Sequence, residues 1–163
     1  QVELACVDVI DEGVVQPANY NCPGQIVISG HAGAVRRAMA RCLEQGAMKV
    51  VELPVSAPFH SALMAPAAES LQPELSKITF SDMQVPVISN VEAKPFGSRV
   101  RVSRLLVDQV TAPVRWQESV EILKHLGVEA VVEVGPGKVL SALMRRIDRN
   151  VKVIELSALL DAA

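Results

Sequence analysis

Ala130-Val131-Val132-Glu133-Val134-Gly135-Pro136-Gly137-Lys138 is the stretch from which the fold is read most directly. Its first five residues are almost all branched and apolar, the composition of a strand, and they run straight into a Gly-Pro-Gly turn. Helical spacing of apolar residues follows over about residues 138–147, and Val151-Lys152-Val153-Ile154-Glu155-Leu156 reads as another strand. Upstream, residues 65–77 read as a helix and Val85-Pro86-Val87-Ile88-Ser89-Asn90 as a short buried strand. Residues 102–111 and 116–126 read as two helices broken at Pro113. Apolar strands alternating with amphipathic helices imply an α/β segment, residues 55–163, with a parallel sheet covered on both faces.

The first 54 residues have a different rhythm. Residues 1–12 read as a helix, Val14-Val15-Gln16 as a short strand and Ala18 to Gly24 as a polar turn. Gln25-Ile26-Val27-Ile28-Ser29 is a strand stopped by Gly30. Val35, Ala38, Met39, Cys42 and Leu43 repeat at helical spacing between Ala32 and Gln45, and Gly46 stands where a helix ends. Met48-Lys49-Val50-Val51-Glu52-Leu53 reads as a strand. This order predicts a small α+β lobe, residues 1–54, resembling a ferredoxin-like unit without its first strand.

Composition narrows the partners. Of 163 residues 50% are apolar but only 3% aromatic, so the core is aliphatic. The net charge of −2 offers no basic field for nucleic acid or an anionic membrane. No apolar run approaches the roughly 20 residues of a membrane-spanning helix, and the N-terminus lacks signal-peptide zones. Cys6, Cys22 and Cys42 are odd in number and widely spaced, so neither a disulfide framework nor a metal site is expected, and a reducing cytoplasm is the expected location. The chain opens on Gln1 rather than Met, which suggests an artificial boundary, a processed chain or a missing upstream part.

Three histidines are candidates for chemistry. His31 follows Gly30 at a helix start, where an exposed capping role is expected, and His125 lies near a helix C-terminus, where the dipole favours a cation. His60 stands in a loop between a strand and a helix, where α/β folds place reactive groups. Its place alone leaves both a structural histidine and a general base open. Gly135-Pro136-Gly137-Lys138 invites a phosphate-loop reading, yet its spacing fits neither nucleotide-binding glycine motif, and a tight strand-to-helix turn is the expectation. Asn19 and Asn21 suit a turn, and two amides beside a cleft could also hold a polar substrate.

Five segments combine. They are Asn19-Tyr20-Asn21-Cys22-Pro23-Gly24-Gln25-Ile26-Val27-Ile28-Ser29-Gly30, Pro54 to Met64 around Pro58-Phe59-His60-Ser61, Val87-Ile88-Ser89-Asn90-Val91, Gln109-Val110-Thr111-Ala112-Pro113-Val114-Arg115-Trp116 and Glu133-Val134-Gly135-Pro136-Gly137-Lys138-Val139-Leu140. In this order, and over nearly the whole chain, they resemble the malonyl-CoA:acyl carrier protein transacylase family.

The resemblance implies an incomplete α/β-hydrolase-like core with the ferredoxin-like lobe inserted, and an active-site gorge between them. It implies malonyl transfer, in fatty acid synthesis, from malonyl-CoA to the phosphopantetheine thiol of acyl carrier protein through a malonyl-serine intermediate. No cofactor is implied beyond the phosphopantetheine carried by that partner. By the same resemblance His60 is the general base, an imidazole being able to accept and return a proton near neutral pH. Gln109 orients it through a main-chain carbonyl, the office an Asp fills in a serine protease. Phe59 matches a bulky residue that goes with malonyl over branched acyl groups, a discrimination worth about 1–3 kcal/mol per methyl. Asn21 and Asn19 match a loop lining the gorge.

The chain departs from the family in one decisive respect. No G-x-S-x-G elbow occurs; Ser29 lacks the preceding glycine, and Ser56 and Ser61 flank the histidine. The family's nucleophile serine, its malonyl-binding arginine and its oxyanion-side glutamine belong to a missing N-terminal half. This chain is therefore expected to be inactive, and poorly folded, without that half. Two other readings are an acyltransferase domain of a polyketide synthase and a catalytically dead carrier-protein-binding module, in which Arg36, Arg37, Arg41 and Lys49 would meet an acidic carrier protein.

Overall fold

A computed structural model describes residues 1–156. Helix α1 (Val2–Val7) is followed by a single 3-10 turn at Ile10–Glu12, so the expected helix over 1–12 is interrupted. Strand β1 (Val15–Cys22) turns at Pro23-Gly24 into the antiparallel β2 (Gln25–Gly30), and α2 (Ala32–Glu44) follows. Small residues let α1 and α2 approach closely: Ala5, Cys6 and Val9 are buried, as are Ala34, Ala38 and Cys42.

The expected three-residue strand and polar turn are thus one eight-residue strand. Asn is a poor strand former, but the backbone around Asn19 is paired on both edges. On one edge β1 carries β2, in register Val15↔Gly30 to Cys22↔Gln25 with two bulges. On the other, the Tyr20 N–H donates to the Val114 carbonyl at 2.9 Å and the Val114 N–H to the Ala18 carbonyl at 2.8 Å. Partners remote in sequence override local preference.

Glycine is required at the start of this ladder. A Cβ on Gly30 would lie 2.0 Å from the Val14 carbonyl oxygen, closer than any side chain can stand. His31 then makes a different contact from the expected helix cap. Its Nδ1 accepts the Val14 N–H at 3.0 Å, and no side-chain bond caps α2.

The second half is helical with little sheet. It runs α3 (Ala65–Ser76), β3 (Ile88–Ser89), β4 (Lys94–Pro95), α4 (Val102–Asp108), α5 (Trp116–His125), β5 (Ala130–Glu133), α6 (Val139–Ile147) and β6 (Lys152–Glu155). Phe96, Val102 and Leu105 form a buried cluster with Phe80, Val91 and Leu106 packed on it. Among the described residues the one parallel pair is β5 with β6, joined through α6 in a right-sized crossover.

Of the expected parallel sheet of residues 55–163 only the β5–β6 pair is present among the described residues; β1–β2 and β3–β4 are separate antiparallel pairs. Residues 85–90 contribute only the two of β3, and residues 48–53 form no strand. A strand is defined by its ladder: residues 85–90 pair only with the short β4 segment, the Phe96 N–H donating to the Val87 carbonyl at 3.0 Å, and residues 48–53 have no ladder among the described residues. Their apolar side chains remain in solvent: Met48, Val51, Leu53, Val85 and Val87 are all exposed. No described helix is long and apolar enough to cross a membrane.

Candidate active site

Helix α4 ends because Pro113 cannot continue it, and the residue before a proline is pushed out of the helical region. The end of the helix and the turn after it therefore present bare carbonyls at Gln109, Thr111 and Ala112. The His60 loop meets them. His60 Nδ1 lies 2.9 Å from the Gln109 oxygen and 3.1 Å from the Ala112 oxygen. Two carbonyls can only accept, so Nδ1 carries the ring proton and donates to both. In the neutral ring, Nε2 is then left with its lone pair.

The backbone at His60 is unusual as well. Its φ is +58°, the left-handed region that a non-glycine residue seldom occupies. Such conformations persist where neighbouring contacts hold them, and they gather at functional sites. Here the neighbours are local and distant. Ser61 is fully buried and its hydroxyl donates to the Pro58 carbonyl at 2.7 Å, while Met64 N–H closes a turn on the Ser61 carbonyl at 3.0 Å. From β1, the Gln16 amide reaches His60 and Thr111 carbonyls at 3.3 and 3.2 Å and accepts the Ala62 N–H at 3.1 Å.

The structure brings together some of the sequence-predicted site residues and not others. His60 and the Gln109 carbonyl meet directly. The Gln109 side chain points elsewhere, with the Asn90 amide donating to its Oε1 at 3.5 Å. Phe59 is 52% exposed beside His60 and joins no buried cluster within this chain. Asn19 and Asn21 lie on β1 rather than in a turn, and no hydrogen bond joins either to His60 among the described residues. Ser61 is sequestered in its own turn, which makes it a poor nucleophile despite adjoining the histidine.

Other candidates resolve into structural roles. His125 Nδ1 lies 2.7 Å from the Glu121 carbonyl, one turn back on α5. The glycine turn at 135–138 holds its own anion: the Glu133 carboxylate accepts the Leu140 and Ser141 N–H groups at 3.0 and 2.9 Å. Hydrogen bonding by Ser141, side chain and backbone, with Leu140 N–H, holds the Glu133 carboxyl below the usual carboxylate range. Two of the helix-start amides a phosphate would use are thus occupied. Burial pushes the Cys6 thiol up to about 11 and raises Cys42 also, so neither is a ready thiolate. Arg36, Arg37 and Arg41 are paired with Glu52, Glu12 and Glu44 at 3.2, 3.1 and 2.8 Å. A cavity of about 450 Å³ beside α4 is flanked by the Arg101–Glu92 and Arg104–Asp108 pairs, and its lining includes neither His60 nor Phe59.

The chain is similar to known acyl transferases over nearly its whole length. Residues 2–160 match the acyl transferase domain. The malonyl CoA-acyl carrier protein transacylase of Salmonella typhimurium is 49% identical over 146 residues, 90% of this chain and 47% of that protein. Its Bacillus subtilis counterpart is 47% identical over 150 residues, covering 91% and 47%. The crystal structure of the Xanthomonas oryzae malonyl-CoA:acyl carrier protein transacylase superposes with a TM-score of 0.93 at 40% identity, over 99% of this chain and 53% of that one. A malonyl-transacylase in complex with its type II polyketide acyl-carrier protein gives 0.94 at 40% identity, with the same coverage of 99% and 53%. The chain spans about half the length of the curated relatives it matches, and it belongs to the acyl transferase domain family.

Proposed function

We propose that this chain supplies the general base of an enzyme that moves a malonyl group from malonyl-CoA to the phosphopantetheine thiol of acyl carrier protein, in the cytoplasm, for fatty acid synthesis. The observation that carries the reading is the pair of carbonyls on His60 Nδ1, which leaves Nε2 as the basic nitrogen. A serine outside this chain attacks the thioester carbonyl while His60 Nε2 takes the hydroxyl proton. The C–S bond then breaks and the imidazolium returns the proton to the departing CoA sulfur. The second half repeats the sequence with the carrier thiol: His60 takes its proton, sulfur attacks the malonyl ester, and the serine oxygen leaves with that proton. No resident cofactor takes part.

Within this reading Gln109 acts through its carbonyl, Phe59 crowds the α-carbon of the acyl group, and Asn19 and Asn21 line the gorge. Residues 1–54 form the small lobe, ferredoxin-like in the order strand, strand, helix, and residues 55–163 form part of a hydrolase-like core, its last seven residues lying outside the described ones. The exposed apolar segments at 48–53 and 85–87 are the places where the other half of the enzyme docks. The ion pairs on Arg36, Arg37 and Arg41 leave the alternative of a chemically dead carrier-binding module without a specific support.

Intact-mass measurement of the full-length protein after malonyl-CoA treatment tests the reading. One malonyl adduct that discharges onto acyl carrier protein is expected, and its absence in the wild-type protein would refute the mechanism. His60→Ala should form the adduct far more slowly.

A further inference from the structure

We propose that Gln16 is a positioning residue for His60, a three-point clamp that fixes the histidine loop against the carbonyls binding its ring. The Gln16 side chain leaves β1 and joins segments 44, 46 and 95 residues away. Its amide nitrogen donates to the His60 carbonyl at 3.3 Å and to the Thr111 carbonyl at 3.2 Å. Its oxygen accepts the Ala62 N–H at 3.1 Å. The two chains it bridges are the two halves of the Nδ1 contact, the histidine itself and the turn that holds Gln109 and Ala112.

Only a carboxamide meets all three demands. Two N–H donors face two carbonyls and one oxygen faces an N–H, so the network itself settles which end is nitrogen. A carboxylate would keep the Ala62 bond but set an oxygen against two carbonyl oxygens. An apolar side chain of equal length would keep the packing and lose every bond. The clamp is also well anchored, because β1 is paired with β2 at Gln16↔Ser29 and is bonded to Val114 just beyond the turn. It holds the His60 peptide on its carbonyl side, at a backbone angle that the residue would not keep unaided. If the loop drifts, the ring loses its carbonyls, and the proton is free to sit on Nε2, the nitrogen that must be bare.

The test uses Gln16→Met and Gln16→Glu in the full-length protein. The kinetic arm rests on the malonyl-transfer reading; the spectroscopic arm does not. Nitrogen-15 spectra of the histidine rings, taken where His60 is neutral, should show the proton on Nδ1 in wild type and a mixture of tautomers in both variants. The kcat for malonyl transfer should fall roughly 10- to 100-fold with KM for malonyl-CoA nearly unchanged. An unchanged tautomer in folded variants overturns the clamp, whatever happens to kcat. A shifted tautomer with unchanged kcat, in an active wild type, overturns it too. If wild type transfers no malonyl group yet the tautomer shifts, the clamp stands and the malonyl reading fails. Should Gln16→Met fail to fold, Gln16→Glu carries the test; failure of both to fold assigns the contacts to stability alone and overturns the proposal.

Discussion

The His60 loop and the turn at residues 135–138 look alike in the sequence, each a short irregular stretch leading into a helix, yet they are held in opposite ways. The glycine turn is secured from next door: Glu133, at the end of β5, caps the first amides of α6 seven and eight residues on. The His60 loop is secured from far away, by carbonyls 49 and 52 residues downstream and by an amide 44 residues upstream. A self-contained turn is a structural unit, and its anion-binding amides are already used. A loop assembled by distant segments puts a reactive ring where several pieces of chain meet, which is what a catalytic position needs.

The largest effect that would sharpen this contrast is His60→Ala. In the full-length protein it should lower kcat for malonyl transfer by roughly 10⁴-fold, as loss of a base from a nucleophile–base pair does. Stability should fall by only about 1–2 kcal/mol, since the half-buried ring loses its carbonyl contacts but lies outside the buried apolar cluster. Comparable activity in wild type and variant, by carrier-protein acylation, would break the comparison at its centre.

Next comes the remote support. Gly30→Ala forces a Cβ against the Val14 carbonyl at the foot of β1. It should destabilise the protein by about 3 kcal/mol or more in urea unfolding, and the surviving folded fraction should show reduced kcat because β1 carries Gln16. The glycine turn should answer quite differently. Glu133→Ala uncaps α6 and should lower Tm by roughly 2–4 °C while kcat stays near wild type.

The charge on Glu133 gives that prediction a pH signature. Its folded pKa is depressed by Ser141 and Leu140, so its contribution is fully present above the ordinary unfolded value, about 4.3. It is lost as pH falls through the lower, folded value. The stability gap between wild type and Glu133→Gln should therefore be constant near neutrality and close below about pH 4. A gap that persists at low pH would show that the charge is not what holds the helix end.

The smallest effects are expected from two residues that a motif search would rank highly. Gln109→Ala should change kcat less than about threefold, because the catalytic contact is its carbonyl, not its side chain. Lys138→Ala should leave KM for malonyl-CoA unchanged. Its amine pairs with Glu155 across the β5–β6 edge, and a rise in KM would revive the phosphate-loop reading.

Much of this molecule was legible in the chain because it depends on local spacing. Helices α2, α3, α4, α5 and α6 begin and end close to where periodicity, glycine and proline place them. His60 was recognisable through Phe59 and the proline-rich run before it, and the Gln109 segment through Pro113. Gln16 was not. It lies in a three-residue stretch that reads only as a short strand, and nothing in Val15-Gln16-Pro17 signals contacts 44 to 95 residues off. The same limit hid the length of β1, whose Asn19 is held extended by Val114, and made residues 48–53 read as a strand they do not form.

Alone, the sequence determined the aliphatic helices, the tight turns and the family, since each rests on neighbours within a few residues or on a run of matching motifs. Only the tertiary structure decided which nitrogen of His60 carries the proton, that Glu133 accepts from the Leu140 and Ser141 amides of α6, and that Gln16 bonds to the His60 loop. The reason is physical: hydrogen-bond donors and acceptors are paired by position in space. A buried carbonyl accepts from whatever the fold sets beside it, however far away that group lies along the chain.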